Sequence, residues 1–128
     1  MPRVLVLDDH PHVRATVTLA LRVKGFDVVS VESGALALAQ FEQSEFDLAI
    51  VDIFMPGMDG TMVIRKLRER APRLPVVAIS GMTALDFFSA FPELSDVVCL
   101  QKPFRPNELL TAIQSAVDAV QQTVCSPC

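Results

Sequence analysis

Five side chains with useful chemistry close short apolar runs of this sequence. Asp8 and Asp9 end "VLVLDD", Asp52 ends "AIVD", Ser80 ends "VVAIS", and Lys102 follows "VVCLQ". Carboxylates gathered at one place repel one another, and such a group persists chiefly where a cation sits among them. Carboxylates supplemented by a carbonyl and water suit a hard divalent ion, and Mg2+ (or Mn2+ in its place) is the expected one. A carboxylate beside such an ion and a lysine points to phosphoryl chemistry. An Asp can attack phosphorus and form an acyl phosphate. The metal and the ammonium neutralise the phosphoryl oxygens, and a serine hydroxyl on an adjacent strand can donate to one of them.

Each residue also has a plainer reading. Asp8 and Asp9 could cap a following helix. Asp52 could open a turn and Ser80 could belong to one, and Lys102 could be a surface lysine. The shared position at strand ends favours chemistry, and that position depends on the elements between.

Those elements alternate. "RVLVL" (3–7), "DVVSV" (27–31), "DLAIVD" (47–52), "PVVAIS" (75–80) and "DVVCLQK" (96–102) are short, apolar and β-branched, so they read as buried strands. Between them lie helical patterns. Val13, Val17, Ala20 and Leu21 recur at helical spacing, with Gly25 as the stop; Ser33 is a candidate N-cap for "GALALAQFEQ". "GTMVIRKLRER" carries Arg65, Lys66, Arg68, Glu69 and Arg70 on a face expected to be solvated surface. "GMTALDFFSAFPEL" predicts a short fourth helix halted by Pro92, and a fifth helix follows Pro106 with Leu109, Leu110, Ile113, Val117 and Val120 on one face. Strict β-α alternation implies a parallel sheet covered by helices on both faces. In such sheets sites form outside the C-terminal strand ends, which is where these side chains fall. The break after Asp52, "IFMPGMDG", fits an exposed ligating strand end. Pro56 restrains itself and Met55, and Gly57 and Gly60 permit unusual dihedrals.

The bulk numbers bound the rest. The 128 residues, 51% hydrophobic with no Trp or Tyr, suit one domain with an aliphatic and Phe core. A net charge of -4 argues against nucleic-acid binding. No apolar run approaches a membrane span, and the N-terminus lacks a signal-peptide layout, so a cytoplasmic location is expected. Cys99 reads as a small core residue. Cys125 and Cys128 form a C-x-x-C at the very end, read as tail and not as a dithiol or metal motif.

Together, "VLVLDD", "AIVDIFMPGMDG", "AISG" and "LQKPF" resemble the response regulator receiver domains of two-component signalling, over Val4 to about Gln121. The resemblance implies a flavodoxin-like α/β fold, a three-layer (βα)5 sandwich with sheet order 2-1-3-4-5. The domain is expected over 1–122, with 123–128 a disordered tail. Asp52 would be the phospho-acceptor. Asp9, Asp52 and the Phe54 backbone carbonyl would ligate Mg2+, and Asp8 would act mainly through metal-bound water. Ser80 would bond a phosphoryl oxygen, Lys102 would pair with the phosphoryl group, and the Lys102–Pro103 bond would be cis. The donor would be a phosphohistidine on a sensor kinase or phosphotransfer protein. Such a chain catalyses only its own phosphorylation and dephosphorylation.

Departures from the family pattern give this chain its character. The aromatic residue that usually stands three positions before the lysine is replaced by Cys99, which removes one half of the family's switch. Phe54 and Met82 occupy the positions flanking the path of attacking water, and two bulky apolar groups there are expected to slow loss of the phosphoryl group. Phe87, Phe88 and Phe91 either pack inward or form an aromatic patch for a partner or dimer mate. A homodimer or output partner would use the face of the fourth helix, fifth strand and fifth helix. A non-phosphorylated pseudo-receiver is the alternative, supported only by Cys99. An aspartate phosphatase of the haloacid dehalogenase type would need a second Asp where Phe54 stands. His10 and His12 are expected to border the site without ligating.

Overall fold

The computed structural model describes every residue except 1, 56, 57, 82–85, 87, 88, 91, 95 and 126–128. Its central sheet holds β1 (Arg3–Leu7), β2 (Asp27–Val31), β3 (Leu48–Asp52), β4 (Val76–Ser80) and β5 (Val98–Gln101). They lie in the order β2-β1-β3-β4-β5, and every pairing is parallel. This is the predicted sheet, with ends trimmed by a residue or two. Helices α1 (Pro11–Val23), α2 (Gly34–Gln43) and α3 (Gly60–Arg70) and a C-terminal helix (Pro106–Cys125) flank it.

Two-residue alternation along the strands divides the core. Leu5, Leu7, Ala49, Val51, Val76 and Ala78 pack with Ala37 of α2 and Val63, Ile64 and Leu67 of α3. Val4, Val6, Ile50, Val77 and Ile79 face the other way, onto Val17 and Leu21 of α1 and Leu109, Ile113 and Ala116 of the C-terminal helix. The four buried aliphatics of β1, Val4 to Leu7, contribute roughly 6–12 kcal/mol relative to exposure. That exceeds the several kcal/mol of effective desolvation cost of one buried carboxylate. The strand can therefore carry Asp8 into a buried position.

Local signals decide where helices begin and end. Ser33 caps α2 by accepting from the Leu36 N–H at 3.2 Å. Gly25, at φ +91°, ends α1 with Phe26 N–H donating to Leu21 O and Gly25 N–H to Arg22 O, a pattern that needs the left-handed region. Glu108 accepts from the Arg105 N–H at 2.9 Å at the start of the C-terminal helix. That helix runs through Thr123, Val124 and Cys125.

Two expectations are corrected by packing. Arg68 is not solvated surface: its Nε donates to Leu74 O at 3.0 Å and its guanidinium pairs with Asp96 at 2.8 Å. Gly60 is required for space, because a Cβ there would lie 2.4 Å from Ile53 Cα and 2.6 Å from Asp52 O. In the predicted fourth helix, Asp86, Ser89 and Ala90 are helical and Pro92–Leu94 forms a 3-10 turn. Phe87, Phe88, Phe91 and Met82 lie outside the described residues. No helix among the described residues is long and apolar enough to cross a membrane.

Candidate functional site

β1 and β3 are neighbours in the sheet, so Asp8, which follows β1, and Asp52, which ends β3, emerge side by side. Asp8 is fully buried and Asp52 is 1% exposed. Asp9 is half-buried. β4 lies between β3 and β5 and ends in Ser80, 1% exposed. The Ser80 carbonyl accepts from the Lys102 N–H at 2.8 Å, and the Lys102–Pro103 bond is cis. Lys102 is thereby placed so that its Nζ donates to Asp52 Oδ2 at 3.0 Å and lies 3.8 Å from Asp8 Oδ2.

The structure thus brings together Asp8, Asp9, Asp52 and Lys102, with Ser80 on the strand between. Cys99 lies farther down β5, opposite Ala78, and packs half-buried against the cluster on the α2 and α3 side. Burial pushes its thiol pKa up. The Phe54 backbone pairs with Asp59 in a two-residue antiparallel ladder just past Asp52.

Two oxygens stand out. Asp8 Oδ2 and Asp9 Oδ1 are buried and have no hydrogen-bond partner. Their nearest charged neighbours are Lys102 Nζ, 3.8 Å from Asp8 Oδ2, and His10 Nδ1, 3.2 Å from Asp9 Oδ1, while most buried polar atoms are hydrogen-bonded. Ligand atoms of Asp8, Asp9, His10 and Asp52 all lie within 4.8 Å of one another. The residues therefore fit a divalent cation, whose charge would add to that of Lys102 among these carboxylates. Burial raises the Asp8 pKa; the Asp52 charge raises it further, against the His10 N–H bond and the charges of Lys102 and His10.

Helix capping does not explain Asp8. Its Oδ1 accepts from the His10 N–H at 2.8 Å, but the N-cap of α1 is His10, and that side chain makes no capping bond. One residue of the site was not singled out by sequence. Arg14 Nη1 donates to Asp8 O at 2.8 Å, and its only sequence signal is its place one turn into α1. His10, expected to border the site, has its Nδ1 3.2 Å from Asp9 Oδ1. His12 instead lines a cleft of about 300 Å³ with Val13, Thr16, Lys102, Pro103 and Phe104.

Known proteins resemble this chain in sequence and fold. Residues 4–114 match the model of the response regulator receiver domain. The transcriptional regulatory protein PrrA of Mycobacterium tuberculosis is 35% identical over 114 residues, 89% of this chain and 49% of that protein. This chain spans about half the length of such relatives. The response regulator receiver protein CpdR of Brucella abortus is 30% identical over 119 residues, covering 93% of this chain and 99% of that one. The structure of the response regulator TrrA from Thermotoga maritima, in complex with Mg2+–BeF, superposes with a TM-score of 0.80 at 27% identity, covering 91% and 99% of the two chains. With its sheet order, its acidic pocket and Lys102 all in place, the chain belongs to the response regulator receiver domain family.

Proposed function

We propose that Asp52 accepts a phosphoryl group in a divalent-metal-dependent reaction. The observation that carries this reading is the gathering of Asp8, Asp9 and Asp52, with buried Asp8 and Asp9 oxygens that make no hydrogen bond, around an Asp52 carboxylate held by Lys102. Asp9, Asp52 and the Phe54 carbonyl would hold the cation, with Asp8 acting through water. When bound, Mg2+ or Mn2+ supplies positive charge to the phosphoryl oxygens.

The chain's own residues do the remainder. A carboxylate oxygen of Asp52 forms the new bond to phosphorus. The P–N bond of a phosphohistidine on a partner kinase or phosphotransfer protein breaks, and the imidazole leaves with the electron pair. Lys102 Nζ, freed from the bare carboxylate, follows the charge onto the phosphoryl oxygens. The Ser80 hydroxyl donates to one of them, which couples β4 to the phosphorylated state. The output is altered binding to other proteins, with Cys99 in place of an aromatic switch residue. A cytoplasmic location agrees with a donor charged from ATP.

The test is intact mass after incubation with acetyl phosphate and Mg2+. One phosphoryl group on wild type and none on Asp52→Ala is the expected result. An adduct that persists in Asp52→Ala, or no adduct on wild type, overturns the reading.

A further inference from the structure

β2 is an edge strand: it pairs only with β1, in register over all five residues Asp27–Val31. In a parallel ladder the N–H and C=O of one residue point to one side, and those of the next residue point to the other. Asp27 N–H donates to Pro2 O, and Val31 O accepts from Asp8 N–H, so Asp27, Val29 and Val31 bond inward. The N–H and C=O of Val28 and Ser30 therefore face outward, where no strand among the described residues meets them. Edges of this kind are commonly blunted by Lys, Pro or a bulge. β2 carries none of these.

A cleft of about 400 Å³ opens beside this edge, between Ser30 and α1. Arg14, Thr18 and Arg22 line it at four-residue spacing, with Ala15 and Leu19 next to them. That spacing sets Arg14, Thr18 and Arg22 in one row along the helix. α1 contains no acidic residue. Arg14 gives Nη1 to the neutral Asp8 carbonyl, and among the described residues neither arginine pairs with a carboxylate. Two uncompensated cations thus stand in one groove of a chain whose net charge is -4. Such a local reversal of sign attracts anionic groups. The groove shares no lining residue with the cleft at His12 and Lys102.

Spacing then selects the occupant. Arg14 and Arg22 are eight residues apart, about 12 Å along a helix. Side chains four residues apart on a strand share a face and stand about 13 Å from each other. Val28 packs with Val17 and Leu21 of α1, and Ser30, two residues on, faces the same way. A strand added to β2 presents its alternate side chains to that same side. We propose that the free edge of β2 and the arginine row of α1 form a docking groove for an extended acidic segment of a partner protein. The segment pairs with the Val28 and Ser30 backbone and sets carboxylates four residues apart against Arg14 and Arg22. Main-chain bonds supply affinity in such strand addition, and alternate side chains supply specificity. The inference goes beyond the acceptor chemistry of Asp52 and does not rest on it.

The test is an amide NMR titration of the isotope-labelled chain at low salt. The probe is the blocked peptide Thr-Glu-Thr-Thr-Thr-Glu-Thr, and its counterpart with Lys for Glu is the control. The acidic peptide should shift the Val28 and Ser30 amides and slow their hydrogen exchange, and the basic peptide should do neither. Arg22 is exposed, so Arg22→Glu leaves the core intact; it should weaken the acidic peptide by at least about tenfold. Ser30→Pro removes only an outward N–H, a change an edge strand tolerates, and should abolish binding. Ser30→Ala keeps the backbone donor and should retain binding. No binding of the acidic peptide, equal affinity in wild type and Arg22→Glu, or binding that leaves the Val28 and Ser30 amides unmoved overturns the inference. Protection of Val28 and Ser30 in the chain alone, growing with its concentration, assigns the edge to a second copy and overturns it as well.

Discussion

Lys102 Nζ reaches Asp52 Oδ2 at 3.0 Å although their strands are not neighbours. β4 lies between β3 and β5, so the lysine spans one strand to reach the acid. Its backbone is fixed for this by the Lys102 N–H bond to Ser80 O. One ammonium thereby serves two buried carboxylates, since Asp8 Oδ2 is 3.8 Å away.

Removing that ammonium leaves like charges facing each other. Lys102→Ala should therefore destabilise the metal-free protein by about 1–3 kcal/mol, the cost of stripping a charged partner from a buried acceptor. Added divalent ion replaces the lost charge and stabilises by mass action. Urea denaturation with and without MgCl2 should show a larger gain on metal addition for Lys102→Ala than for wild type. An equal gain in both would mean that the lysine does not neutralise the pocket.

Asp8 sets a pH dependence of opposite sign to that of an ordinary paired acid. Burial raises its folded pKa above 3.8, with help from Asp52. Below 3.8 the group is protonated in both states and costs nothing. As pH rises through the raised folded pKa, the folded protein must ionise a buried group, and stability is lost. Asp8→Asn preserves the acceptor for the His10 N–H and removes the charge. Metal-free Asp8→Asn should be about 1–3 kcal/mol more stable than wild type at neutral pH. Denaturation midpoints across pH should show that advantage shrinking as the solution is acidified.

Much of this site was legible before any coordinates because its members share one rule of position. Asp8, Asp52, Ser80 and Lys102 each follow a run of apolar residues, and a parallel sheet delivers such ends to one edge. What was not legible depended on distant partners or on space. Arg68 looked solvated because its partner Asp96 is 28 residues away. Arg14 went unnoticed because its bond to Asp8 O depends on how α1 packs against the end of β1. Gly60 was singled out correctly but for its dihedral freedom, when its reason is contact with the preceding loop.

Ser33 offers a control far from the chemistry. Its hydroxyl accepts from the Leu36 N–H at the start of α2, and loss of such a cap costs about 1 kcal/mol. Ser33→Ala should lower the unfolding free energy, read by urea denaturation, by that amount and leave the acetyl phosphate reaction unchanged. A change in phosphorylation would show that α2 is coupled to the pocket.

Gly60 ties the stability of α3 to the acceptor itself. The first residue of α3 sits so close to β3 that any Cβ would meet Ile53 Cα at 2.4 Å and Asp52 O at 2.6 Å. Both obstacles are backbone, so no side-chain rotation relieves them. Gly60→Ala must move α3 away or push the Asp52–Ile53 peptide. If α3 moves, Val63, Ile64 and Leu67, all at most 1% exposed, lose packing. If the peptide moves, Asp52 leaves its place beside Lys102. Overpacking of this kind costs about 1–3 kcal/mol or more. Thermal denaturation should show the loss, and phosphorylation by acetyl phosphate should fall in the protein that remains folded. Full phosphorylation at reduced stability would show that the helix gives way and the acceptor holds its position.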